Sequence, residues 1–330
     1  MVNVLSLFDG MSCGQIALNR LGIKINNYYA SEIDKYAIEI TQKNYPNTIQ
    51  VGDVCAVRGE DYQDVDLILA GSPCQGFSFA GKQLAFNDPR SALFYEFIRL
   101  LKEIKPKYFL LENVKMKKEY LQIISEQVSA CYPEIPFSIE PIFINSSLVS
   151  AQSRQRYYWT NIPNITQPEE RGIVLRDILE EDIKDDLFCD RFGTPQHIGT
   201  AVDVNGHDIL KRVYSPDGKS PTLNTCGGGN THAKVVCGAW RGRYNEDGST
   251  SQKLELRKDN KTNSITTVQK DNVLTKDQVY WRKLTPLECE RLQTVPDNYT
   301  EGVSNTQRYK MLGNGWTVDV IAHILGNAKW

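Results

Sequence analysis

Val4-Leu5-Ser6-Leu7-Phe8-Asp9-Gly10-Met11-Ser12-Cys13-Gly14-Gln15-Ile16-Ala17-Leu18 joins a β-rich run to a helical pattern through a glycine turn. The apolar run at 4–8 reads as a short strand, and Ile16, Ala17 and Leu21 recur at helical spacing after it. The alternation continues through the first 160 residues. Strands are predicted at 28–31, 65–70, 108–112, 139–144 and 157–160, and helices at 35–44, 93–102 and 117–130. This series predicts an α/β fold with a mainly parallel sheet and helices on both faces. Ligands of such sheets bind beyond the carboxyl ends of the strands. The residues that follow each strand are therefore the candidate site.

The chain has 330 residues, enough for two domains or for one large domain with a lobe. Its 38 Lys and Arg against 40 Asp and Glu give a net charge of −2, which speaks against binding nucleic acid by bulk charge. The charge is unevenly spread. Residues 169–190 carry net −6 and residues 234–283 net +5, either of which is also a solvated face. No run approaches the roughly 18 apolar residues of a membrane helix, and the start lacks the features of a secretory signal. The eight cysteines form no CxxC pair, so free thiols in a reducing cytoplasm are expected rather than a zinc ribbon or a disulfide framework.

Beyond residue 168 the pattern changes. Residues 190–280 are rich in Gly, Asn, Thr and Ser and read as a small, loop-dominated lobe. Segments 219–225 and 261–267 resemble each other as a two-copy echo. Thr285-Pro286-Leu287-Glu288 predicts a capping box that starts a helix running to Leu292. A closing amphipathic helix is predicted at 317–327.

Several strand ends carry reactive or ligand-binding residue types. Cys74, in Gly71-Ser72-Pro73-Cys74-Gln75-Gly76-Phe77-Ser78, follows the 65–70 strand and is either a nucleophile or a small buried thiol. Glu112 ends the next strand, as an acid or a helix cap. Arg154 and Arg156 alternate onto one face, to grip phosphate or a base oxygen, or as a surface ladder. The turn at 8–14 does not match GxGxxG. Glu32 is placed to accept from ribose hydroxyls, and Asp53 in Gly52-Asp53-Val54 from an adenine amino group. These three places fit a cofactor that bears a nucleoside. No GxxxxGK[ST] loop is present, which disfavours ATP or GTP.

In this order, the 8–14 turn, Glu32, Gly52-Asp53-Val54, Pro73-Cys74-Gln75, Glu112-Asn113-Val114 and Gln152-x-Arg154-x-Arg156 resemble the motifs of DNA cytosine-5 methyltransferases. Arg282-Lys283-Leu284-Thr285-Pro286 with Glu288 and Arg291, and Leu312-Gly313-Asn314-Gly315, match the last two motifs of that family. Val149-Ser150-Ala151, Arg156-Tyr157-Tyr158-Trp159 and the Phe8-Asp9-Gly10 turn are similar to its animal de novo branch. The lobe is similar to those of stand-alone bacterial or phage enzymes. The resemblance implies a Rossmann-like S-adenosylmethionine-dependent methyltransferase sheet formed by 1–170 and 281–330. The segment 171–280 would be a smaller target-recognition lobe.

The resemblance also implies roles. Cys74 would add to C6 of a flipped-out cytosine, Glu112 would hold and protonate N3, and Arg156 would bind O2. Arg154 would help hold the catalytic loop and the nucleotide. S-adenosyl-L-methionine would be the cofactor, lined by Phe8, Asp9, Gly10, Met11, Glu32, Ile33, Asp53, Val54, Pro73, Leu93, Asn314 and Gly315. Duplex DNA would be the partner. Gln75, Ser78, Lys82 and Arg90 would meet it from a closing loop, and Thr222, Arg241 and Arg243 from the lobe. No metal or membrane is implied. The enzyme would be a cytoplasmic monomer in a bacterial or phage-infected cell, and any cognate restriction endonuclease would act separately.

The chain departs from the family in two places. Ser12-Cys13 replaces the usual glycine pair, and Gly315-Trp316 replaces a small polar residue and valine. Trp316 either packs over the cofactor pocket or fills the core, and the core is the favoured expectation. A tRNA cytosine-5 methyltransferase and a non-catalytic DNA-binding relative are the alternatives. The long lobe argues against the first and the full catalytic set against the second. A zinc deaminase is excluded, because H-x-E and P-C-x-x-C are both absent.

Overall fold

The computed structural model describes residues 1–72, 92–180, 197–200, 212–214, 218–223, 234–236, 240–244, 250–254 and 281–330. Its centre is a seven-stranded sheet in the order β3-β2-β1-β4-β5-β7-β6. The strands are β1 (Val2–Leu7), β2 (Ile25–Ser31), β3 (Ile49–Gln50), β4 (Leu67–Ala70), β5 (Tyr108–Val114), β6 (Ile142–Asn145) and β7 (Gln155–Thr160). Pairing from β3 to β5 is parallel throughout, and β7 alone runs against its neighbours β5 and β6. The sheet is therefore mainly parallel, as predicted. The pair β3 and the helical content near 54–62 have no counterpart in the predicted elements.

Alternation along the strands sends side chains to two cores. Val4, Leu67, Leu69 and Leu110 face one of them. It is covered by α1 (Cys13–Arg20), α2 (Lys35–Asn44) and the closing helix α7 (Val318–Leu325). Leu5, Leu7, Ile68, Phe109 and Leu111 face the other, under α3 (Ala92–Ile104) and α4 (Lys118–Ser129). Helices thus cover both faces. In α3, Phe94, Phe97, Ile98 and Leu101 lie on one stripe and are buried. Each such side chain contributes roughly 1.5–3 kcal/mol by leaving water.

The C-terminal segment completes this body. Thr285 Oγ1 accepts from Glu288 N at 3.2 Å and Glu288 Oε2 accepts from Thr285 N at 2.9 Å. The predicted capping box therefore starts α5 (Pro286–Leu292). Helix α6 (Asn305–Asn314) was not predicted; its buried residues are only Met311, Leu312 and Gly313, too few to mark a stripe. In the lobe, the described strands are three to five residues long. His197–Thr200, Arg212–Tyr214 and Lys234–Val236 join Trp281–Lys283, from beyond the predicted lobe, in a four-stranded sheet, and Trp240–Tyr244 pairs antiparallel with Thr250–Leu254. Two pieces of the predicted lobe pack on the main body. Leu175, Ile178, Leu179 and Leu223 join the core under α7. The second copy of the echo, 261–267, lies outside the described residues.

Candidate active site

The carboxyl ends of β1, β2, β4 and β5 open onto one cavity of about 370 Å³. On its first wall, Phe8, Gly10 and Ser12 all have left-handed backbones, with φ of 57°, 60° and 61°. This reverses the chain from β1 into α1. For Phe8 and Ser12 that conformation costs roughly 1–2 kcal/mol each, and local hydrogen bonds offset it. Gly10 N donates to Glu32 Oε2 at 2.8 Å. Ile33 N and Asp34 N donate to Glu32 Oε1 at 2.7 and 2.8 Å. Asp9 Oδ1 accepts from Tyr28 OH at 2.8 Å, and its other oxygen accepts from Ser12 Oγ. Burial pushes the Asp9 carboxyl up to about 6, against the pull of the hydroxyls of Ser12, Ser6 and Tyr28.

Next along this wall, Asp53 Oδ1 accepts from Cys55 N at 2.9 Å and so caps the short turn Val54–Ala56. Ile33 is 77% exposed at the rim. Leu93, at the start of α3, and Asn314 and Gly315, at the end of α6, close the cavity. Of the predicted cofactor residues described, Met11 alone is not on the cavity. Its side chain is fully buried in the core, and its carbonyl accepts from Tyr299 OH at 2.8 Å. The turn directs residue 11 inward, so it supports the wall from behind.

The opposite wall comes from β5 and β7. Their antiparallel register pairs Glu112 with Tyr158 and Val114 with Arg156. Glu112 and Arg156 are thereby diagonal neighbours on one face. Arg156 Nε lies 2.8 Å from Glu112 Oε1, and both side chains are nearly buried. The N–H is off the line to the oxygen, so the contact is an ion pair more than a hydrogen bond. Arg156 Nη1 also donates to Gln155 O at 2.8 Å.

Arg154 lines the cavity but precedes β7, where alternation had been expected to hold it beside Arg156. It is 3% exposed. Its Nη1 donates to Leu223 O at 3.3 Å, and its Nη2 to Gly313 O and Gly315 O at 3.2 and 2.9 Å. Burial, and then the like charge of Arg156, lower its pKa to about 9.

Several cavity residues were not among the predicted cofactor residues, Gly71, Ser72 and Trp316 among them. Trp316 belongs to the core, as expected, and is also part of the cavity wall. A Cβ on Gly71 would stand 2.9 Å from its indole nitrogen, so only glycine allows this approach. Gly71 directly precedes Ser72-Pro73-Cys74, which was the available signal. Ser72 Oγ accepts from Asn113 Nδ2 at 3.4 Å and ties the ends of β4 and β5. Pro73, Cys74, Gln75, Ser78, Lys82 and Arg90 lie outside the described residues, as do the side chains of Arg241 and Arg243. Thr222 is exposed and donates to Ser153 O at 2.9 Å.

The cavity combines apolar surface from Phe8, Val54, Leu93 and Trp316 with the carboxylates of Glu32 and Asp53. A Cβ on Gly10 or Gly52 would meet nothing within 4 Å, so backbone borders open space there. Three N–H donors use three of the roughly four lone-pair sites of Glu32. One remains for a ligand hydroxyl. This donor and acceptor set fits a ligand with a flat apolar ring and several O–H and N–H groups. Among the described residues, no group of three His, Cys, Asp or Glu is arranged to hold a metal. No helix there is long and apolar enough to cross a membrane.

The mainly parallel α/β sheet thus brings a carboxylate–guanidinium pair onto one cavity with Glu32 and Asp53. The chain belongs to the C-5 cytosine-specific DNA methylase family, whose model matches residues 2–330. It is a DNA cytosine-5 methyltransferase. The orphan methyltransferase M.SPBetaI of Bacillus phage SPbeta is 28% identical over 98% of this chain and 96% of its own length. The type II methyltransferase M.HhaI of Haemophilus parahaemolyticus is 28% identical over 98% and 93%. In fold, the chain is similar to the S. pombe Dnmt2 methyltransferase, with a TM-score of 0.62, 17% identity and coverage of 99% and 97%. It is also similar to the Entamoeba histolytica methyltransferase EhMeth, with a TM-score of 0.66, 18% identity and the same coverage.

Proposed function

We propose that the chain methylates C5 of a cytosine flipped out of a specific duplex DNA sequence, using S-adenosyl-L-methionine and a transient bond from Cys74 to C6. The observation that carries this reading is the Glu112–Arg156 pair, which faces the same cavity as Glu32, Asp53 and the glycine turn. S-adenosyl-L-methionine, when bound, supplies an electrophilic sulfonium methyl group. Phe8, Ile33 and Leu93 would pack on its adenine, Asp53 would accept from the amino group and Glu32 from the ribose. Gly10 and Gly315 supply the close backbone, with Asp9, Val54 and Asn314 around them.

The chain's residues must make cytosine C5 nucleophilic. Addition of the Cys74 thiolate to C6 turns the C5–C6 bond into part of an enamine, with charge moving to N3. Glu112 holds N3 and delivers a proton there. Arg156 would exchange Glu112 for the O2 of the base, which frees the Glu112 carboxyl for N3. Loss of the C5 proton later returns electrons to the ring and expels the thiolate. A stacked base does not present C6 to a thiol, so the base must leave the stack. Gln75, Ser78, Lys82 and Arg90 would close over it. The lobe, with Thr222, Arg241 and Arg243, would choose the sequence.

The test uses tritiated S-adenosylmethionine with plasmid DNA or with tRNA, for the parent and for Cys74→Ala. Label is expected on DNA from the parent and only background from the variant. No label on DNA overturns the reading, and label on tRNA alone turns it to the RNA substrate. Bisulfite sequencing then identifies the target site.

A further inference from the structure

Arg154 is an expensive residue for the fold. Its guanidinium is buried, touches no carboxylate among the described residues, and keeps Nε without a partner. A neutral side chain would fill the space at lower cost. What the guanidinium alone provides is a planar fork that reaches three carbonyls at once. Those carbonyls belong to two different places. Leu223 O belongs to residues 218–223 of the predicted lobe, where Thr222 is exposed. Gly313 O and Gly315 O end α6 and form the cavity wall.

Both ends are themselves tightly held. Segment 218–223 is stitched to residues 151–153. Ser220 N donates to Ala151 O at 2.6 Å, Ser153 N to Ser220 O at 2.7 Å, and Leu223 N to Gln152 Oε1 at 3.0 Å. At the other end, a Cβ on Gly315 would stand 2.9 Å from Met11 Cε and 3.3 Å from Cys13 Sγ. Gly315 is thus wedged against the turn that carries Gly10. Gln293 runs parallel to the arginine, with Nε2 donating to Leu312 O at 2.6 Å and to Gly315 O at 3.2 Å. Residues 218–223 and the turn that carries Gly10 are therefore joined through Arg154 and Gly315 by a continuous run of hydrogen bonds and close contacts.

We propose that Arg154 is a positioning residue that couples segment 218–223 to the cofactor wall, so that DNA on the lobe tightens the cofactor site. By linkage, cofactor tightens DNA by the same factor. This deepens the role of the lobe and rests on the reading of it as the DNA side. Arg154 then acts on the reaction through backbone placement and not through contact with the base.

The test measures the dissociation constant of S-adenosylhomocysteine by calorimetry, with and without a duplex carrying the site found by bisulfite sequencing. The parent is expected to bind it 5-fold or more tighter on DNA, within the usual range of coupling. Arg154→Lys and Arg154→Gln should each bring that ratio to within 2-fold of unity. Ser125→Ala, which removes the buried 3.0 Å bond from Trp159 Nε1 beneath the other face, controls for lost stability and should keep the parent's ratio. Hydrogen exchange in the parent should show segment 218–223 protected on adding S-adenosylhomocysteine alone, and this needs no variant to fold. A parent ratio of unity, a ratio that persists in both Arg154 variants, a ratio lost equally in Ser125→Ala, or no protection at 218–223 each overturns the proposal. A parent that labels DNA but shows no coupling sinks this inference alone; a parent that labels no DNA sinks the functional reading.

Discussion

Two walls of one cavity are built in opposite ways. The wall made by the β1 turn, Glu32 and Asp53 is local. Its carboxylates accept from backbone N–H groups and hydroxyls a few residues away or on the adjacent strand. The wall made by Glu112 and Arg156 is non-local, with one charge answered by another across an antiparallel pair. Hydroxyl and amide partners fix a carboxylate without bringing a cation near it, which suits the cationic sulfonium ligand proposed for this wall. A guanidinium partner can be traded for a substrate oxygen, which suits a wall that must act on a base.

The largest effect should come from breaking the non-local wall. Glu112→Gln keeps size and one acceptor but cannot deliver a proton. Its kcat/KM for DNA methylation should fall by about 10²–10⁴, the range of general acid–base assistance. Binding of S-adenosylhomocysteine should change less than 3-fold, because the other wall is intact. A variant that loses both together would show that the walls are not separable.

The same contrast explains what could be read from sequence. The local wall was legible from residues alone, because strand, turn and helix follow one another within 8–20 and Glu32 ends the next strand. Two parts of it were not. Met11 turns inward because of three left-handed residues in the turn, and backbone handedness at Phe8 and Ser12 has no sequence signature. The approach of Trp316 to Gly71 joins residues far apart in the chain. In the non-local wall, Glu112 was legible as a strand end, but its partner depended on β7 running antiparallel to β5. Arg154 lines the same cavity as Arg156, but it precedes the strand, so its carbonyl partners at Leu223, Gly313 and Gly315 could not be read from alternation. Helix α6 buries little, so periodicity could not report it.

A smaller effect is expected where the walls meet. Gly315→Ala would place Cβ 2.9 Å from Met11 Cε and 3.1 Å from Met311 O. The methionine end can move, but the carbonyl cannot. Overpacking of this kind costs about 1–3 kcal/mol, and the upper part of that range is expected from urea unfolding. S-adenosylhomocysteine should bind more weakly as well. Gly10→Ala is the comparison. Its Cβ meets nothing, so only the φ of +60° opposes it, at roughly 1 kcal/mol. Equal losses at the two glycines would mean that backbone handedness, and not the joint at Gly315, sets the cost.

The smallest effect tests the local wall's own carboxylate. Asp9 is raised from 3.8 to about 6 by burial. The folded protein therefore holds this proton more tightly than the unfolded chain does. Stability falls as pH rises from about 4 to about 6, and the cost is fully present above that window. A rise of this size corresponds to at most about 3 kcal/mol. Asp9→Asn carries no charge at any pH, but it gives up one of the two hydroxyl contacts from Tyr28 and Ser12, worth about 1 kcal/mol. The variant should thus be more stable than the parent by about 2 kcal/mol or less at pH 8, and should lose that advantage by pH 4.5. Urea unfolding at both pH values measures it. The same difference at pH 8 and pH 4.5 would mean that Asp9 does not titrate in this window. Its hydroxyl partners would then hold the charge as well as a cation does, and the physical distinction between the two walls would narrow to their reach along the chain.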